Sequence, residues 1–540
     1  MNRTTLSLIG AVTALAAVTG VAATTAPGAE STAARPAAER LPVERSTLVC
    51  PQPSASELAE TRYTAFTPEG EDAADAPGGE DAAAHLLPAE EKETGVPEDG
   101  SGEKSGDTKD DEKGDQKDDQ KDDGKDGDDG GTKDGGGDDQ APDPVLPLKK
   151  PGTPVTATTG DSGAPALTGS ADGPFAPGWT VQQTTTISAG TGRGLHGLSC
   201  SAPDTDFWFP GASTAEERQD YVHLTNPDHT NAVVDLELYG KEGALPGETG
   251  EGITVPARST VPVLLSTLTE EPVTNVTVHA VARSGRVAAQ VQAADEKLGG
   301  DWLPPAAVPR STAVLPGIPA DAASVRLAVH ATGDRDADLR VRLATPTGEI
   351  TPAGQETLHV KAGMTAAVDL KDLTRGEAGS LVLSPAEGDS GAPVVAAARV
   401  TRGADGEQET AFIPSTAPVE RRATAAGDGS GGATLSLLAS GEAAKVRVTA
   451  SAGSEGGDPV SKTYELKAGT TRAVEPPQPE GGKGSHALTV ERLSGGEVYA
   501  ARTLEQKEDG VPFFTVQTLP DDRGTVEVPD AEQDLSVLSE

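Results

Sequence analysis

From residue 207 onward, apolar and polar positions alternate in short runs that break at Gly, Pro, Asn or Asp. In Val233–Leu238, Val234, Leu236 and Leu238 fall on one side and Val233, Asp235 and Glu237 on the other. This period of two predicts strands with one buried and one wet face. The runs recur. Val255-Pro-Ala-Arg-Ser-Thr-Val-Pro-Val263 returns as Val360-Lys-Ala-Gly-Met-Thr-Ala-Ala-Val368 and as Leu466-Lys-Ala-Gly-Thr-Thr-Arg-Ala-Val474, about 105 residues apart each time. Each copy reads as a strand end, a tight turn and a new strand. Gly243, Gly348 and Gly453 keep the same spacing, each just after a strand, where a turn needs positive φ. About seven short strands per unit predict an all-β fold of three tandem immunoglobulin- or fibronectin-like sandwiches. Propeller blades would repeat at roughly half this period. No segment after residue 200 keeps a helical period.

The expected sandwiches span 41–308, 311–418 and 421–520, followed by an acidic tail over 521–540. Ahead of the repeats, Thr47–Cys50, Arg62–Phe66, Thr153–Thr159 and Trp179–Ile187 read as strands. Between them an acidic low-complexity insert covers 69–142. From Glu69 to Asp139 there are 27 acidic residues against 8 lysines, nearly half of the chain's formal charge of −41. From Glu103 to Asp139 there is no apolar side chain, so a helix there would have nothing to pack and the insert is expected to be disordered. It is read as an insertion in a β-hairpin. Its aspartates do not meet the fixed ligand positions of an EF-hand loop.

Residues 1–30 read as a signal peptide or N-terminal anchor: Arg3, an apolar stretch from Leu6 to Ala23, then small residues suited to cleavage. The remainder is expected to be extracytoplasmic, secreted or held at the cell envelope. In that compartment Cys50 and Cys200 are expected to form a disulfide. It would close a loop of about 150 residues and contribute up to about 5 kcal/mol. The negative charge argues against nucleic acid and against an anionic membrane surface. No membrane contact is expected beyond the N-terminal anchor.

Candidate chemistry is sparse. Gly388-Asp-Ser-Gly-Ala-Pro-Val-Val395 resembles the nucleophile motif of chymotrypsin-like serine proteases, and Gly160-Asp-Ser-Gly-Ala-Pro165 repeats part of it. Such a serine needs a histidine base and an orienting aspartate. The only segment like the family's histidine stretch, at His85, borders the charged insert. Ser390-Gly391 also aligns with Ser284-Gly285 and Ser494-Gly495 in the other repeats, so it reads as a turn between two strands of a hairpin. No catalytic residue is expected, Ser390 being the one alternative. His223 and His229 lack a third ligand, and neither a metal nor a cofactor is expected. Trp208, Trp302 and Tyr221 make the first repeat the aromatic-rich one; they either build its core or form an exposed platform for an envelope glycan or envelope protein.

Leu48-Val-Cys-Pro, Cys200-Ser-Ala-Pro and Phe207-Trp-Phe-Pro-Gly211, followed by Leu224-Thr-Asn-Pro and the first copy of the repeated stretch, resemble an exported actinobacterial family of unknown function. The resemblance covers about 41 to 520 apart from the insert. It implies export, a disulfide and an all-β build, and supplies no catalytic residues. The expected function is a non-enzymatic envelope or secreted binding and structural module. The alternative is a secreted serine hydrolase acting through Ser390.

Overall fold

Short alternating runs rich in Val, Leu, Thr and Ala place one side chain in two against a core, and the regular structure of the described residues is nearly all strand. The computed structural model describes residues 39–70, 82–91, 144–247, 249–388, 391–404, 407–429, 432–508 and 511–528. The expected signal, most of the acidic insert, Asp389 and Ser390, and the end of the tail lie outside these. The only helical turns described are Gly173–Phe175 and Leu265–Thr267, both 3-10. The chain divides into two compact units, one made of its two ends and one spanning 42–524. In the smaller, Glu39–Pro42 pairs with Thr525–Val528, and Arg40 meets Glu527 at 2.7 Å.

In the larger unit one strand order recurs. In the second set the strands are Asp206–Ala212, Arg218–Thr225, Ala232–Gly240, Ile253–Val255, Ser259–Leu264, Val276–Ser284, Ala288–Asp295 and Gly299–Leu303. The first, sixth, third and fourth of these make one antiparallel sheet; the eighth, seventh, second and fifth make the other. The third set, Ala313–Ile318 to Glu409–Pro414, repeats this order. So does the fourth, where the second and third strands fuse into Ala433–Ala450 and the sixth and seventh into His486–Glu508. The fused strands pass from one layer to the other at Gly441 and Gly495, both at positive φ. The second strand lies beside the fifth and the third beside the sixth, as in an immunoglobulin sandwich. The first strand, however, occupies the edge where that fold places its last.

The same order also appears ahead of the periodic region. Arg45–Cys50, Leu167–Asp172 and Ala84–Pro88 form one sheet; Gly194–Ser199, Thr180–Ile187, Ala59–Phe66 and Val155–Thr159 form the other. The stretch 41–308, expected as one sandwich, therefore carries two pairs of sheets with separate cores. Among the described residues the first set has no counterpart of the fourth strand, and the acidic insert falls at that point of the sequence. That insert joins strands of opposite sheets rather than a hairpin. It is also narrower than 69–142, since Ala84 and Leu86 are buried in the core. The tail is narrower too: Asp522 is buried against Arg422 at 2.5 Å.

The repeated stretch is the crossing from the fourth to the fifth strand. Val255, Val360 and Leu466 are buried before it, and Arg258, Gly363 and Gly469 take φ of 53°, 69° and 64° within it. Hence Gly recurs there, with Arg258 the one side chain held in a left-handed turn.

The four sets close on one another. The first strands carry irregularities at Pro210/Ala212, Leu315/Ile318 and Ala425/Asp428. At these, Gly211, Gly317 and Gly427, all at positive φ, lie against the following set: Ala328, then Ala501, then Gln182 and Thr64 of the first set. The eighth strands touch in a cycle as well: Gly194–Ser199, Gly299–Leu303, Glu409–Pro414, Val511–Thr518 and back to the first. At their centre Asp301 is 1% exposed. Its Oδ1 accepts the N–H of Gly197 at 3.0 Å and of Trp302 at 2.8 Å, and its Oδ2 the hydroxyl of Thr515 at 2.9 Å. The Phe412 N–H also points to it. Donors from all four sets thus meet one carboxyl group. Burial pushes that group well above the usual carboxylate range even so.

Two predictions follow from this closure. A Cβ on Gly317 would sit 2.7 Å from that of Ala501 at φ 91°, whereas Gly363 faces open space at φ 69°. Gly317→Ala is expected to cost about 2–4 kcal/mol in denaturant melts and Gly363→Ala only about 1; equal losses would refute the close approach. Asp301→Ala strands four buried donors and is expected to cost roughly 3–5 kcal/mol, checked by the same melts.

Candidate functional site

The aromatic residues nominated by sequence are not a platform. Trp302 is 1% exposed and Trp208 8%. Alternation does hold across Phe207-Trp-Phe209: both phenylalanines enter the second core, and Trp208 points the other way. It points into the contact with the third set. Its indole lies 3.6 Å, centroid to centroid, from the His279 ring and 5.3 Å from that of His330. His279 bridges two carboxylates, Glu237 at 3.1 Å and Asp206 at 3.2 Å. The Tyr239 hydroxyl donates to Glu237 at 2.6 Å, and with His279 it holds that carboxyl below its usual range. Trp302 belongs to the core of the first set although its strand belongs to the second. His223 is buried 5.4 Å from it, and Tyr221 is half-buried beside His223. Trp208 and Trp302 thus pack between sets. His229, also set aside as a metal ligand, bonds Arg258 at 2.8 Å.

Ser390 of the protease-like motif lies outside the described residues. The described part of its link joins Gly379–Pro385 to Val394–Arg402, strands of different sheets. The Ser-Gly positions therefore mark a crossing between layers, not the hairpin expected from their turn chemistry. Gly285, Gly391 and Gly495 all take positive φ there, which is why the dipeptide recurs. His85 stands in Ala84–Pro88 of the first set, paired with Ser170. The shorter copy is a plain turn: the Asp161 carboxylate accepts the Gly163 N–H at 2.9 Å. Cys50 and Cys200 form the expected disulfide.

A concavity lies where the fourth set meets the first. A groove of about 460 Å³ is walled by Glu60, Arg62, Thr184 and Thr186 of the first set and by Gln506 of the fourth. It adjoins a shallower depression of about 440 Å³ beside Glu57 and Thr158. The outward alternation of Ala59–Phe66 and Thr180–Ile187 places these side chains on one face. The Thr186 hydroxyl donates to Gln506 at 3.1 Å. Sequence reasoning missed this site because its walls lie 320 residues apart and are ordinary polar strand residues.

Burial at the set contacts has a pH signature. The buried His330 ring is held down at about 4, mainly by desolvation. Its neutral form is favoured in the folded state, so this stabilisation is whole above the ordinary value near 6.5 and is lost as pH falls from there towards 4. His330→Gln is expected to flatten the fall in denaturation midpoint over that window, by on the order of 2 kcal/mol. An unchanged slope would assign the acid sensitivity to other groups.

No curated protein matches the chain. A family model, described as a family of unknown function, DUF5719, matches residues 155–477, from the fifth strand of the first set to just past the fifth of the fourth. The match covers more than half of the sequence, and the chain belongs to that family.

Proposed function

We propose that the protein is an exported, non-enzymatic binding and structural module of the cell envelope. The observation that carries this reading is the buried Cys50–Cys200 disulfide, a bond that persists in oxidising compartments. The apolar N-terminal stretch fits the same route. The interlocked sheets supply a rigid body, and the polar groove at the junction of the fourth and first sets supplies a surface for recognition. The histidine that the protease-like motif would need stands on a strand of another set, which favours binding over hydrolysis.

Fractionation of the native cells tests the location. The protein is expected in the envelope or medium, with a gel mobility that changes on reduction; a cytosolic protein with two free thiols would refute export. A fluorophosphonate probe tests the chemistry. No labelling is expected, and labelling abolished by Ser390→Ala would overturn the non-enzymatic reading.

A further inference from the structure

Three of the contacts between consecutive sets carry a glycine at a bulge, so each reports on the others. Side chains bridge the sheets at the contacts that precede the last. Gln292 donates to the Pro53 carbonyl at 3.2 Å between the first and second sets. Arg326 donates to Asn275 at 2.9 Å between the second and third, and Arg402 to Glu505 at 2.7 Å between the third and fourth. The glycine at each bulge fixes the correspondence. Gly211 lies on Ala328, Gly317 on Ala501 and Ser436, Gly427 on Gln182 and Thr64. Ala328 pairs with Ala397, Ser436 with Ala501, and Thr64 with Gln182. Two residues along the second strand, Arg62 therefore corresponds to Arg326; four residues along the seventh, Thr186 corresponds to Glu505.

At the fourth contact those positions are not closed over. Arg62 and Glu60 are exposed in the groove. The Thr186–Gln506 bond crosses there, in the place where Arg402 meets Glu505 one contact earlier. The same sheet face that elsewhere seals a junction is here left as a concavity. Its walls hold one carboxylate, one guanidinium, a carboxamide and several hydroxyls, and no aromatic ring. This set donates and accepts hydrogen bonds in comparable measure and carries no net charge. The groups sit on adjacent strands of a paired sheet, so they are held in place before a ligand arrives. The volume is that of a small-ligand site.

We propose that this groove binds an uncharged oligosaccharide, with Arg62, Glu60 and Thr184 bonding its hydroxyls. Vicinal hydroxyls both donate and accept, which suits a guanidinium beside a carboxylate. A charged chain would meet one like charge for each opposite one. The absence of a stacking ring from the groove's lining implies recognition by hydrogen bonds alone, hence weak affinity per site. The proposal deepens the reading of the protein as a binding module. It is tested on purified full-length protein, so that its failure leaves the localisation result standing.

Titration calorimetry with cellohexaose, chitohexaose and maltohexaose supplies the test. At least one is expected to bind saturably, with little change between 0.05 and 0.5 M salt. Arg62→Gln and Thr184→Val are each expected to weaken it at least tenfold while leaving the melting temperature unchanged. Three results would overturn the assignment: no saturable binding of any of the three, binding that both variants retain, or salt-sensitive binding only of a synthetic peptide covering 103–139. The last would make the groove a receptor for acidic chains instead.

Discussion

One buried carboxyl group sets the terms of the assembly. Asp301 accepts from Gly197, Phe412 and Thr515 of the other three sets as well as from its neighbour Trp302. Removing a carboxyl group from water is costly, and its donors offset that cost only when all are in place. Loss of any one set would leave both the acid and the remaining donors short of partners. Burial also traps charge around this hub. Arg502 and Asp428 are fully buried at 3.1 Å, with Arg502 donating to Gln182 and Gln517. Glu409, beside Arg193 at 3.0 Å, is pushed up to about 7 by desolvation. Such groups add little net stability compared with apolar packing, but a mis-docked set would leave them unpaired. They select one arrangement of four similar bodies.

Composition explains why the bodies need one another. With 3% aromatic residues, each sandwich has a core of Val, Leu and Ala, and a small core of that kind buries too little surface to stand far above its entropy cost. Three of the cores take a large ring from the eighth strand of the following set: Trp302 enters the first, Phe412 the second, Phe514 the third. The facing surfaces are flattened by glycine and alanine so that sheets approach closely, as at Gly317 and Ala501. The packing that would normally complete a domain is thus shared across its boundary. A substitution at a junction should therefore act on two cores at once.

Much of the fold was legible because strands repeat in spacing as well as in pattern. The turn at Val255–Val263, the positive φ of Gly243 and Gly348 and the alternation in Phe207-Trp-Phe209 each reflect a local backbone demand, whereas Gly453 keeps the spacing without the positive φ expected of it. The all-β build follows from such local signals, and the Cys50–Cys200 bridge from the oxidising compartment expected of the chain. The first set was hidden because the acidic insert interrupts its sequence where the other sets carry the repeated stretch, which leaves no repeat to align. The roles of Trp208 and Trp302 were not legible either. A strand pattern tells which residues face away from their own core; it is silent on whether a neighbouring sheet covers that face. Asp301, Arg502 and the groove share this property, since their partners lie 100 to 320 residues away.

The closing contact differs from the other three for a reason of connectivity. Consecutive sets are joined by short linkers, which hold neighbouring sheets at high effective concentration and tolerate either a sealed or an open junction. The fourth set reaches the first without a linker and must be held by its own contacts: Arg502 to Gln182, Arg422 to the Pro177 carbonyl, and the small core of Phe66, Ala426 and Ala487. Those contacts secure closure. The groove with Arg62 and Glu60 lies at the same junction, beside the Thr186–Gln506 bond. In a pseudo-symmetric array, the one interface that departs from the common pattern is where side chains are free to face a ligand.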